Sequence, residues 1–243
     1  MKVLVIPDVH LKPWIFDEAR DLFKEKVAEV AICLMDIADD WGQERNLSLY
    51  EETYDSAIRF AKQLKDSLWC YGNHDISYKI GALESGYSVW AEDIVRHKVS
   101  ELENLLCNSG RLAYIHRIDN VLFLHGGLTD YFVKQNVKSK EYNDVDAVLS
   151  RINEMRAKDL WDDSSPIWTR PQGKALKMYK PRTLLQVVGH TPVRSIAREG
   201  NVISCDTFST YPDGTPIGTQ EFLIVDTERW EWQGTTRFSN LGR

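Results

Sequence analysis

The chain has 243 residues and a formal net charge of −6, with 43% hydrophobic and 27% charged residues. That length suits one large domain or two small ones, with a core that needs no disulfide or structural metal, and the acidic balance argues against non-specific nucleic-acid binding. Four scattered cysteines, Cys33, Cys70, Cys107 and Cys205, form no CxxC pair, which excludes a zinc ribbon and points to reduced thiols in a cytoplasmic protein.

The apolar run before Pro7 is too short for a signal peptide, and nothing approaches the roughly 20 apolar residues of a membrane span, so no membrane association is expected. Residues 3–6 are a short β-branched run that reads as a buried strand. Phe16, Ala19, Phe23, Val27 and Val30 then recur at helical spacing and predict a helix. Residues 30–35 form a second apolar run, ending at Asp36. Tyr50, Tyr54, Ala57, Ile58, Ala61 and Leu64 mark an amphipathic helix, and residues 68–71 a third strand, ending at Gly72. Strand–helix–strand–helix–strand implies a parallel sheet with helices packed on it.

Residues 88–106 are helical in pattern. Residues 111–118 and 121–124 read as a hairpin around Asp119 and Asn120. The stretch 130–180 is polar and partly helical, best over 145–155 and loop-like over 161–173. Residues 184–188 predict another strand, and 195–197, 202–205 and 221–225 read as strands of a second, meandering sheet. With no repeat, low-complexity tract or linker, 1–243 reads as a single domain.

The polar residues fall where chemistry would need them. Each apolar strand ends in a loop carrying Asp, His or Asn, and ligands of open α/β sheets bind at the carboxyl ends of strands. The first strand delivers Asp8 and His10, the second Asp36 and Asp39, the third Asn73, His74 and Asp75. The second strand of the hairpin delivers His125 before Gly126 and Gly127, and the strand at 184 delivers His190 after Gly189. Singly, each is an ordinary turn or a core histidine; five strand ends together form a convergent metal site. Carboxylate and imidazole suit borderline divalent ions, and the D-x-H spacing puts Asp8 and His10 on one side of an extended segment. Two ions about 3.5–4 Å apart can bind a bridging hydroxide and clamp a phosphoryl group, with Asp36 the natural shared ligand.

The motifs PDVHL (7–11), MDIADDWG (35–42), GNHD (72–75), HGGL (125–128) and GHT (189–191) resemble, in order and spacing, those of the calcineurin-like metallophosphoesterases. HGG, and a final motif with one histidine, resemble the phosphoprotein-phosphatase branch and its bacterial and phage members. The resemblance implies a four-layer α/β/β/α fold, a two-sheet β-sandwich flanked by helices. It implies a phosphatase using two divalent ions, manganese foremost, with iron, zinc, cobalt or nickel as alternatives. Asp8, His10 and Asp36 would hold one ion; Asp36, Asn73, His125 and His190 the other. His74 would be the general acid, oriented by Asp39, and Asn73 would also face substrate. Arg170, in PIWTR (166–170), resembles the family's phosphate-binding arginine. Asp206 resembles the Asp of a late D-T-G strand end, with a supporting part. Asp75 reads as structural.

Some positions depart from the family. Pro7, Leu11 and Met35 replace glycines, and Asp40 stands where an arginine usually clamps phosphate. Lys12 and Arg45, in neighbouring loops, are candidate substitutes. Trp14, Trp41, Trp161 and Trp168 lie near the motifs and could pack the rim or stack on a nucleobase. The expected partner is a phosphorylated substrate: a phosphoprotein, a nucleotide such as a dinucleoside polyphosphate, or a small phosphomonoester. A weakly active relative that binds a phosphorylated ligand is the alternative from another class, and a nuclease suffers from the acidic balance.

Overall fold

The computed structural model describes residues 1–235, so residues 236–243 of the expected single domain lie outside the described residues. Among the described residues eleven strands form two sheets. The first runs β1 (Lys2–Ile6), β2 (Val30–Cys33), β3 (Ser67–Cys70) and β4 (Leu112–Ala113) in parallel order, and continues on the other side of β1 into β10 (Phe222–Asp226) and β11 (Glu231–Thr235), both pairing antiparallel. The second is ordered β5 (Ile115–Ile118), β6 (Val121–Leu124), β7 (Leu185–Val188), β9 (Val202–Ser204) and β8 (Ala197–Glu199).

Strand side chains alternate between faces, and here the alternation separates two apolar layers. Val3, Val5, Ile32, Val121, Phe123, Leu185, Val187, Leu223 and Val225 pack together between the sheets. Leu4, Ile6, Leu122, Leu124 and Val188 point the other way, into the layers that also hold the buried faces of the helices. The helices are α1 (Trp14–Lys24), α2 (Leu47–Gln63), α3 (Asn73–Ile80), α4 (Glu92–Leu106), α5 (Asp130–Asn136) and α6 (Val145–Asn153). The architecture is the expected sandwich of two sheets flanked by helices.

Four details differ from the sequence reading. The first helix stops at Lys24, and Lys26 turns left-handed at φ 58°, so Val27 and Val30 leave the helix and Val30 opens β2. The expected hairpin is split. Leu112 and Ala113 stay in the first sheet beside β3, and the chain crosses sheets at Tyr114, where Asn153 accepts both the Tyr114 and Ile115 N–H groups. Residues 221–225 belong to the first sheet rather than the second, as β10 against β1. GNHD opens a short helix, α3, in place of a simple turn.

Candidate active site

All five strand ends meet at one edge of the sandwich. Two glycines set how closely. A Cβ on Gly72 would lie 2.0 Å from Asp36 Oδ1, and one on Gly189 would lie 2.1 Å from Asp8 Oδ2. Both carboxylates therefore sit directly on neighbouring backbone. His190 N–H donates to Asp8 Oδ1 at 2.7 Å, and His74 N–H to Asp36 Oδ1 at 2.9 Å. His10, Leu11, Met35, Asp36, Asp39 and His190 all have positive φ, between 42° and 63°. Leu11 and Met35, which stand where the motifs they resemble carry glycine, thus hold left-handed turns at a local cost of about 1–2 kcal/mol each, and both side chains are buried.

Backbone carbonyls fix the imidazole tautomers. His10 Nδ1 donates to the Asp39 carbonyl at 2.8 Å and His125 Nδ1 to the Leu34 carbonyl at 2.9 Å, so each Nε2 turns a lone pair inward. Asp36 Oδ2 then lies 3.0 Å from His125 Nε2, and Asn73 Oδ1 lies 2.9 Å from it. Three electron-pair donors facing one another call for a cation or a proton between them. Asp8 Oδ2 and His190 Nε2 are buried without a hydrogen-bond partner. Asp8, His10 and Asp36 offer atoms within 4.8 Å of one another, as do Asp36, His125 and His190, with Asp36 common to both groups. This donor set fits two divalent ions.

Electrostatics agree for two of the imidazoles, whereas at His125 burial is outweighed by Asp36 and then Asp8, which push its pKa up to about 9, so a proton competes there for the place that a cation would take. Burial, then the charge of His74, lowers the His10 pKa, and burial, then His125, lowers that of His190, so both favour the neutral form that a cation needs. Burial opposes the Asp36 carboxylate, but His125 and His74 outweigh it and hold it well below the usual range. Burial and the neighbouring Asp206 push Asp8 up, a penalty that positive charge in the site would relieve.

Beside the cluster, His74 Nδ1 donates to Asp39 Oδ2 at 2.9 Å. Burial disfavours its imidazolium, yet Asp36, and then the hydrogen bond to Asp39, push the pKa up to about 10. The other Asp39 oxygen accepts Tyr50 OH at 2.9 Å and Tyr78 OH at 2.5 Å. Asp75 accepts Tyr54 OH and the Ile37 N–H, tying α3 to the loop after β2. Sequence reasoning counted Tyr50 and Tyr54 only as apolar faces, although a buried tyrosine hydroxyl needs a partner. Tyr78 and Glu84, whose Oε2 accepts Asn73 Nδ2–H at 2.6 Å, carried no signal.

HGG has a steric reason too. Gly126 N–H donates to the Pro166 carbonyl at 2.8 Å and Gly127 N–H to the Thr169 carbonyl at 3.0 Å, and a Cβ on Gly126 would meet both of those oxygens at 2.9 Å. The 166–170 loop lies flat on this strand end and carries Arg170 to the site, where Nη1 donates to the His190 carbonyl. A cavity of about 220 Å³ opens here, walled by His10, Asp36, His74, Arg170, His190 and Asp206. Trp41, 52% exposed, stands at its wall. Trp168 packs edge-on against His190 and Trp161 against Trp168, while Trp14 packs on Phe208. Asp206 accepts both the N–H and the hydroxyl of Ser209.

Asp40 is not a bare negative charge. Its Oδ2 pairs with Lys12 Nζ at 2.8 Å and its Oδ1 accepts Thr210 Oγ1–H at 3.0 Å. Lys12 also donates to the His10 carbonyl, and Arg45 stacks on Trp90 at 4.4 Å. Neither candidate substitute lines the cavity.

The family model for calcineurin-like phosphoesterases matches residues 1–213. The chain belongs to this family. As a phosphoesterase it is a hydrolase of phosphoester bonds, and its chemistry is metal-dependent. No curated protein matches it in sequence. Its fold is similar to that of a cold-active protein tyrosine phosphatase, at 16% identity and a TM-score of 0.60 over 96% of this chain and 78% of that one. The same enzyme type from a psychrophilic Shewanella species aligns at 15% and 0.59, over 96% and 80%. A hypothetical protein from Pyrococcus horikoshii aligns at 13% and 0.50, over 97% and 87%. Among the described residues no helix is long and apolar enough to cross a membrane.

Proposed function

We propose that the phosphoesterase is a phosphomonoesterase of the phosphoprotein-phosphatase branch, with His74 as general acid. The observation that carries this is the His74–Asp39 pair beside a shared-ligand cluster. Asp8, His10 and Asp36 would hold one divalent ion, and Asp36, Asn73, His125 and His190 the second, with manganese the first candidate. Bound there, such a pair would lower the pKa of a water and neutralise charge growing on the phosphoryl oxygens.

The chain's own residues supply the rest. Asp39 fixes the His74 ring through Nδ1 and favours its protonated form, leaving Nε2–H to be given to the departing oxygen. Arg170 would grip phosphate oxygens with its guanidinium. The cavity takes a phosphate and the first atoms of its leaving group, and Trp41 offers a flat face beyond them. That exposed indole also supports a second substrate reading, a dinucleoside polyphosphate whose base stacks there. The alternative of a weakly active binder rests on the missing arginine at position 40; the Lys12 pair offsets the Asp40 charge, and Arg170 at the cavity wall favours the enzyme reading.

Hydrolysis of p-nitrophenyl phosphate with Mn²⁺ tests the reading. His74→Asn is expected to lower kcat by about 10²–10⁴-fold, with both ions retained, while Asp36→Asn loses ion binding and activity together. Undiminished turnover in His74→Asn would remove the general-acid role. A panel of a phosphopeptide, diadenosine tetraphosphate, mononucleotides and a 2′,3′-cyclic nucleotide then ranks the substrates.

A further inference from the structure

Glu84 lies in the loop joining α3 to α4, outside every motif considered above. Its side chain is only 7% exposed. Oε2 accepts the Asn73 Nδ2–H at 2.6 Å, while Oε1 is buried, without a hydrogen-bond partner, 3.6 Å from His74 Nδ1. Burying a carboxyl group with one oxygen unpartnered is costly.

We propose that Glu84 is a positioning residue that locks the Asn73 amide with its oxygen toward the second cation. An amide side chain can turn end for end with little change in shape, but only its oxygen has a lone pair for a metal. Glu84 Oε2 is the acceptor of that short hydrogen bond, so it holds the Asn73 NH₂ on its own side. The Asn73 oxygen is thereby left 2.9 Å from His125 Nε2, among the other inward-facing donors.

The loop is fastened for this. The Ser88 N–H donates to Tyr78 OH at 2.8 Å, and Tyr78 OH in turn donates to Asp39. Gly86 rests against the same pair, with a built Cβ 3.4 Å from Asp39 Cβ and 3.8 Å from His74 Cε1. One loop thus braces both the asparagine ligand and the acid beside it.

The proposal rests on the two-cation reading above, and calorimetric titration of Mn²⁺ into metal-free protein separates the two. The wild type is expected to take up two ions. Glu84→Leu should weaken one of them by about 10–100-fold and leave the other unchanged, with its circular dichroism retained. The double variant Asn73→Asp/Glu84→Gln should bind the second ion to within about threefold of wild type, because a carboxylate needs no orientation and the new glutamine can donate to it. A merely structural Glu84 would not be restored by that exchange. If Glu84→Leu does not fold, the double variant decides alone: two ions support the role, and a folded protein with one ion overturns it. Wild-type uptake of two ions with identical uptake in Glu84→Leu overturns the role of Glu84 only. Uptake of fewer than two ions by the wild type overturns the two-cation reading and Glu84 with it.

Discussion

Gly72 separates close approach from backbone freedom as the reason for a glycine. Its φ of −92° and ψ of 161° are extended values open to any residue. A Cβ there would nevertheless lie 2.0 Å from Asp36 Oδ1, 2.5 Å from the Asp36 nitrogen and 2.8 Å from Cγ. Ordinary contact begins at about 3.5 Å, so Asp36 or the turn before Asn73 must move by about 1.5 Å. Overpacking of this kind costs about 1–3 kcal/mol. The larger effect is on activity, because Asp36 belongs to both ligand groups and also accepts the His74 N–H. A 1 Å misplacement of such a centre costs about 100-fold. Gly72→Ala is therefore expected to lower kcat/KM for p-nitrophenyl phosphate by about that factor, with a fall of several degrees in Tm. Gly110→Ala is the contrast. Gly110 has φ 68° with nothing within 4 Å of a built Cβ, so alanine there should cost about 1 kcal/mol of stability and no activity. Retention of kcat/KM within about threefold in Gly72→Ala would refute the argument from displacement.

Other expectations follow from the site and its surroundings. Arg170→Ala should lower kcat/KM by about 10–100-fold at unchanged ion uptake, the worth of a charged hydrogen bond to phosphate, and lysine should not replace a planar fork. Arg45→Ala should leave kcat/KM unchanged, since its guanidinium lies on Trp90. Lys12→Ala should lose about 1–3 kcal/mol in urea denaturation, because Asp40 is left without its partner, and Lys12→Ala/Asp40→Ala should recover most of it. Asp130 pairs within α5 with Lys134 at 2.7 Å and links α5 to the chain beyond Arg170 through Lys177 at 3.2 Å, with Tyr142 also donating to it. Lys134, then Tyr142, pulls its pKa down to about 2 from 3.8. A depressed carboxyl stabilises the fold above its unfolded pKa and ceases to do so as pH falls through the folded one. The urea midpoint of Asp130→Asn should thus lie below wild type at about pH 5 and converge with it toward about pH 2. A constant gap would assign the loss to something other than this charge.

Much of this arrangement was legible because strand ends are written plainly in sequence. A short apolar run followed by Asp, His or Asn marks both the strand and what it delivers, and five such runs gave Asp8, His10, Asp36, Asn73, His125 and His190. Pairing was less legible. The FLIVD run of β10 signals a buried strand without saying which edge it joins, and its partner β1 lies more than two hundred residues away. The crossing at Tyr114 was hidden because the run Leu112, Ala113, Tyr114 and Ile115 continues unbroken through the point where the chain changes sheets. The fit of Glu84 against Asn73 has no periodicity at all, since it arises from a loop folding back over α3. Asp40 read alone suggests repulsion of phosphate; only three-dimensional proximity reveals Lys12 as its counter-charge.

The hydrogen bond from the His190 N–H to Asp8 spans 182 residues, and that from His125 to the Leu34 carbonyl spans 91. Contacts this distant along the chain form late in folding. A polypeptide still emerging from the ribosome would carry Asp8, His10 and Asp36 early, but would lack His190 and also β10, which pairs with β1 in the first sheet. The group that includes His190 would be completed last, so uptake of an ion there would report on completed folding.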